Sequence, residues 1–252
     1  MRFGIGAVFL MTYVAVASAQ SGSVHVTHDK VDAALAKGGT LVNVPQARVA
    51  GGHHAKAGAL ETQKGTSILY VTDGEGTFVA GGHTQRLVKG DLVLVPAGTP
   101  QSFTSVSPSI SYYMVIVPVL KPDAKAEFVY VPREKVEPTF KKAGPLADGP
   151  NLRVSGGFRT GPYAADYRPA VEIHTNEADL FFVIDGNATQ VLGGKMLDGK
   201  ETGPGQLRGS KIEGGTTYKL GKGDVMWVPA SVPHWFPEIP QPLGYLLVKV
   251  FY

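Results

Sequence analysis

Apolar residues in this chain fall in short runs of strand length separated by turn-forming pairs. Ile68-Leu69-Tyr70-Val71 gives way to Asp73-Gly74, Leu180-Phe181-Phe182-Val183-Ile184 to Asp185-Gly186, and Leu92-Val93-Leu94-Val95 to Pro96. Asp-Gly and Gly-Gly pairs between runs of β-branched and aromatic residues are hairpin signals, because glycine supplies the positive φ of a tight turn. The pattern predicts antiparallel strands in a sandwich or barrel rather than βαβ crossovers. Little helix is predicted. Thr27 or Asp29 can cap a short helix through Val31 to Ala36 that stops at Gly38-Gly39, and a second fits Glu134 to Lys142.

The pattern repeats. Arg48-Val49-Ala50-Gly51-Gly52 returns as Arg153-Val154-Ser155-Gly156-Gly157, and the run ending at Gly74 returns as the run ending at Gly186. The third landmark is the longest: Lys89 to Phe103 aligns with Lys222 to Phe236, with eight of fifteen positions identical. Three landmarks in one order mark a duplicated unit. The expected architecture is all-β, two tandem jelly-roll-like barrels with few short helices. Boundaries are expected at 1–19 for a leader, 20–144 for a first barrel with its linker, and 145–252 for a second. The second unit also carries an insertion from Leu192 to Gly215, rich in glycine, which can cover the barrel mouth.

Composition narrows the setting. Met1-Arg2, an apolar run to Val16 and Ala17-Ser18-Ala19 match a secretory signal cleaved near Ala19, so the protein is expected to be secreted, in a bacterial periplasm. That run is shorter than the ~20 residues of a membrane-spanning helix. The chain has no cysteine, so an exported form holds together without disulfides. A formal charge of +3 without a like-charge block points to neither nucleic acid nor a membrane as partner. A small-molecule ligand or substrate is the expected partner, and edge strands leave room for a homodimer.

The candidate chemistry lies in the second unit: His174-Thr175-Asn176-Glu177-Ala178-Asp179, and Gly223-Asp224 through Pro229-Ala230 to His234. These segments resemble the two motifs of the cupin superfamily, and the pair of units resembles a secreted bicupin. The second motif matches well; in the first, Asn176 stands where the superfamily has its second histidine. The resemblance implies a β-barrel fold and a metal site, but no substrate.

Two neutral imidazoles and a carboxylate also suit a divalent transition metal on chemical grounds, leaving positions open for water or substrate. His174, Asp179 and His234 supply that set, and the metal is expected among Mn, Fe, Zn, Ni and Cu. Strand alternation puts Glu172, His174 and Asn176 on one face, with Glu177 at a following turn and Asp179 re-entering beyond it. Asn176 is a weak fourth ligand through its amide oxygen; Glu172 or Glu177 is the candidate general base. In the first unit Thr62, Lys64, Ser67 and Gln101 take the places of His174, Asn176, Asp179 and His234, so no metal is expected there, and the Lys64 ammonium is expected near the vacated position. His53, His54 and His83 are poor candidates for a separate site, and His25 and His28 are expected at the surface. The leading reading is a metal-dependent enzyme acting on a small oxygen-rich molecule as dioxygenase, decarboxylase, isomerase or lyase. The alternative is a non-catalytic periplasmic protein that binds a small ligand or metal.

Overall fold

The computed structural model describes residues 22–120, 126–164 and 166–252. The expected leader lies outside them. Nearly every element is a strand, and all pairing is antiparallel. Strands Thr66–Ala80 and Gln101–Val117 form the spine of an eight-stranded sheet, and Glu177–Leu192 with His234–Phe251 form that of a ten-stranded one. Bulges along both spines let one long strand bend and serve both walls of a barrel.

Period-2 alternation explains why the spine runs are continuously apolar. Leu69 and Val71 pack inside the first barrel with Phe78, Phe103 and Met114, and Phe181 and Val183 pack inside the second with Met226, Phe236 and Tyr245. Their neighbours Ile68, Tyr70, Leu180 and Phe182 face the other way, into a third cluster drawn from both units. Tyr113 and Phe182 meet there with ring centroids 4.5 Å apart. A strand buried on both faces has no polar face to show, hence the unbroken apolar runs. In the second unit the inward face begins with Glu177 and Asp179, ahead of Phe181.

The two units exchange strands. Val24–Val26 pairs with Val225–Val228 of the ten-stranded sheet, and Val129–Val131 pairs with Leu92–Val95 of the eight-stranded one. The aspartate of each Lys-Gly-Asp repeat anchors the crossing. Asp224 accepts the backbone N–H of His28 at 2.8 Å, where helix His28–Lys37 starts, and that of Gly221 at 3.0 Å. Asp91 accepts the N–H of Arg133 at 2.8 Å, where helix Arg133–Val136 starts, and that of Val88 at 2.9 Å. Each acid therefore caps a helix that follows the strand its own sheet has borrowed, a favourable place for negative charge.

Several expectations change here. His25 is not at the surface: its ring bonds Asp224 at 3.0 Å and its side chain is 16% exposed, whereas His28 is exposed as expected. The stretch before residue 149 is more than a linker, since it holds the borrowed strand, two helical turns at Arg133–Val136 and Thr139–Lys142, and the edge strand Gly144–Gly149. The insertion forms two small strand pairs, one of which reaches the barrel wall through Gln206–Gly209 against Val171–His174.

Candidate metal centre

Local sequence sets the donors in place. Strand Val171–His174 ends at a bend over Thr175 and Asn176, and the chain returns as Glu177–Leu192. Glu172 and His174 project inward from the first strand, Glu177 and Asp179 from the second. His234 opens the last strand, directly across from Glu172 in register. Glu177 is thus not in the turn but the first residue of a strand, and it is buried. Asn176 is exposed in the bend: the strand stops two residues too early for alternation to carry it inward.

Four side chains converge. The Nε2 atoms of His174 and His234 lie 3.5 and 3.6 Å from Asp179 Oδ2, and 3.8 and 3.6 Å from Glu172 Oε2. Both ring orientations are fixed from behind. His174 Nδ1 meets Gln206 Oε1 and His234 Nδ1 meets the carbonyl of Val232, so each Nδ1 carries the proton and each Nε2 offers a lone pair. Burial lowers the His174 imidazole, Asp179 pulls it back and Lys249 adds to the lowering; the net direction is down, toward the neutral ligand form. Burial alone would raise the Glu172 carboxyl, yet contact with His234 and the charges of Arg159, His234 and Arg208 hold it at about 2.

A second group of acids, Glu177 and Asp179 beside His174, is already served by a cation. Lys249 Nζ donates to Glu177 Oε1 and, at 3.0 Å, to Asp179 Oδ1. Burial works against the Lys249 charge, but the two carboxylates more than offset it and raise its pKa. Asp179 is left with Oδ2 to present to the histidines.

The residues fit a divalent metal. His234 Nε2 is buried and is without a hydrogen-bond partner, a costly orphan unless something binds there. Two ligand atoms held about 2.1 Å from one ion at a tetrahedral angle lie about 3.4 Å apart, close to the separations found. The donors open onto a cavity of about 310 Å³ walled by Phe181, Tyr245 and Leu247 on one side and by Gln206 and Arg208 on the other. A larger cleft of about 680 Å³ near Arg86 and Arg133 is lined by charges that are paired with Glu75 and Glu134.

Gln206, Arg208, Lys249 and Arg159 escaped the sequence reading. Lys249 had a local signal, since Tyr245, Leu247 and Lys249 share one strand face and a lysine breaks an inward apolar row. The other three are placed by long-range register that no local pattern shows.

The first barrel provides an internal comparison. Ser67 and Gln101, the counterparts of Asp179 and His234, are buried and touch at 3.5 Å, which supports the alignment of the repeats. Lys64 is exposed, so it does not occupy the vacated position as expected; serine and glutamine fill it instead. His53 and His54 bond Ser111 and Tyr112 separately, and His83 stacks on Phe128.

Comparison with known proteins agrees with this fold. The salicylate 1,2-dioxygenase of Pseudaminobacter salicylatoxidans superposes with a TM-score of 0.66 at 12% identity, over 95% of this chain and 88% of that one. A cupin 2 conserved barrel domain protein from Leptotrichia buccalis gives 0.52 at 16% identity, over 84% and 88%. The fold is cupin-like. A candidate glyoxylate-induced protein from Pseudomonas aeruginosa matches 99% of this cupin-like chain and 94% of its own length, with a TM-score of 0.60 and 14% identity. A family model for the AraC-like ligand binding domain matches residues 43–120. No curated protein sequence matches the chain.

Proposed function

We propose that this chain is a metal-dependent enzyme whose second barrel, residues 145–252, binds a divalent transition ion and turns over a small oxygen-rich molecule. The convergence of His174, His234, Asp179 and Glu172 around the orphaned His234 Nε2 carries the reading. The ion would supply Lewis acidity or an oxygen-binding position. Gln206 and the Val232 carbonyl keep both imidazoles in the ligating tautomer, and, against burial, Lys249 holds the Glu177 carboxyl below its ordinary range while bonding Asp179 Oδ1. Glu177 lines the cavity but is engaged there by Lys249 and lies 3.2 Å from His174 Nδ1, so it steadies the ring more than it serves as a free base. Glu172 stays an anion through the working range, which suits a ligand better than a proton carrier. Phe181 and Leu247 give the cavity an apolar wall against which the carbon skeleton of a substrate would rest. Structural likeness to a salicylate dioxygenase supports an oxidative reaction on a phenolic or hydroxy acid.

One observation favours a second reading, a binding protein without turnover. The AraC-like ligand binding match falls on the first unit, where Ser67 and Gln101 present neutral polar atoms inside the barrel. The test is to strip the protein of metal, reload it separately with Mn, Fe, Ni, Cu and Zn, and search for products of hydroxy and phenolic acids by mass spectrometry. Product formation that disappears in His234→Ala supports the enzyme. Ligand retention without product under every metal supports the binding protein.

A further inference from the structure

Apart from Arg153, the cations that line the cavity beside the donors match its acids one for one before any metal is counted. Glu177 and Asp179 share Lys249, and Arg153 turns away to Asp148 at 2.8 Å. Glu172 is the remaining acid, and two guanidinium groups flank it, Arg159 at 3.8 Å from one oxygen and Arg208 at 3.8 Å from the other. Neither contact is a hydrogen bond, because 3.8 Å is beyond donor–acceptor range. Arg159 lies over the face of Phe236, 4.6 Å from the ring centroid, which fixes the plane of its fork. Its side chain is 27% exposed and lines the cavity, with Nε buried behind it. Tyr245 and Tyr163 hold the guanidinium from its sides. A partly exposed guanidinium stacked on an aromatic ring at the cavity wall, with its nearest acid just out of hydrogen-bond reach, can receive a carboxylate on its terminal nitrogens.

Charge balance points the same way. With Lys249 answering Glu177 and Asp179, and Arg159 and Arg208 answering Glu172, the pocket is balanced before a metal enters. A divalent ion then leaves an excess of positive charge in a small cavity, where an anion is preferred over a neutral molecule. A cavity of about 310 Å³ holds a ligand of about a dozen heavy atoms. Phe181, Tyr245 and Leu247 offer an apolar wall opposite the charged one.

Building on the proposed metal site, we infer that the substrate is a small carboxylic acid whose carboxylate is gripped by Arg159, with Arg208 as the second cationic contact, and whose α-oxygen faces the histidines. Arg159 sets specificity for acid over alcohol. The first barrel has His54 at the corresponding position, bonded at 3.0 Å to the Tyr112 hydroxyl, so its fork-shaped donor is missing and that barrel does not share the preference.

The test is isothermal titration of the full chain, metal-free and Zn-loaded, with two matched pairs: mandelate against 1-phenyl-1,2-ethanediol, and gluconate against glucitol. The expected result is an acid bound at least tenfold more tightly than its alcohol. In Arg159→Gln the chain should still melt cooperatively and still take up zinc but lose that advantage. Arg159→Lys should keep part of it, which separates lost charge from lost folding. Equal binding of acid and alcohol, unchanged acid affinity in Arg159→Gln, or binding of neither acid would overturn the inference. Loss of the metal reading is distinguishable: Arg159-dependent acid binding by a chain that takes up no zinc leaves the carboxylate site standing and removes only the ion.

Discussion

Replacing Asp224 by alanine should cut the tie between the borrowed strand and the sheet that holds it. The carboxylate is nearly buried, at 4% exposure, and it accepts the N–H groups of His28 and Gly221 and the ring of His25. Each hydrogen bond to a charged acceptor contributes about 1.5–3 kcal/mol, but His28 lies near the surface and water can replace part of its loss. The expected destabilisation is therefore about 3–5 kcal/mol, large against a total of about 5–15 kcal/mol. Asp224→Asn keeps one acceptor and should cost about half as much. The pH dependence has a defined sign. Burial pushes the Asp224 carboxyl up, but the bonds from His25, Gly221 and His28 bring it below its ordinary value of 3.8. A lowered carboxyl contributes stability above its unfolded pKa and loses it as pH falls through the folded one, so this contribution should fade below about pH 4. Urea unfolding followed by fluorescence and circular dichroism at pH 7 and pH 3.5 measures both effects. A midpoint in Asp224→Ala within about 1 kcal/mol of the parent at pH 7 would refute the reasoning.

Three further outcomes are expected. Gly157→Ala should destabilise by about 2–3 kcal/mol in thermal melts, because its Cβ would sit 2.1 Å from the Tyr245 ring and force that ring into the cavity. Lys249→Met leaves Glu177 and Asp179 without their cation and should lower the stability of the metal-free protein by about 3–5 kcal/mol, with part recovered when zinc is added; a melt unchanged by the substitution would contradict the pairing. Asn176→Ala should leave metal content unaltered by elemental analysis, since that side chain is exposed in the bend.

What the sequence revealed and what it hid follow from the range over which each feature is determined. His174, Asp179 and His234 stood out because they fall at two cupin-like motifs and supply two imidazoles and a carboxylate, with the first unit as a comparison that lacks them. The all-β reading followed from turn pairs and strand-length runs, which are local. The turn after His174 was misplaced by two residues, and that small shift moved Asn176 out and Glu177 in. The borrowed strands could not be foreseen, because Val24–Val26 and Val129–Val131 are too short to reveal which sheet edge they join. His25 was misjudged for the same reason, its partner Asp224 lying 199 residues away. Arg159, Gln206 and Arg208 enter the site through cross-strand register, which strand periodicity does not encode.

The central claim is that the second barrel holds a metal ion through His174, Asp179, Glu172 and His234. Elemental analysis of the protein purified without chelator, beside His174→Ala and His234→Ala, tests it most directly. The account predicts about one transition-metal ion per chain, lost in both variants while their circular dichroism spectra stay the same. A parent protein that remains metal-free after incubation with excess Mn, Fe, Ni, Cu and Zn would contradict it.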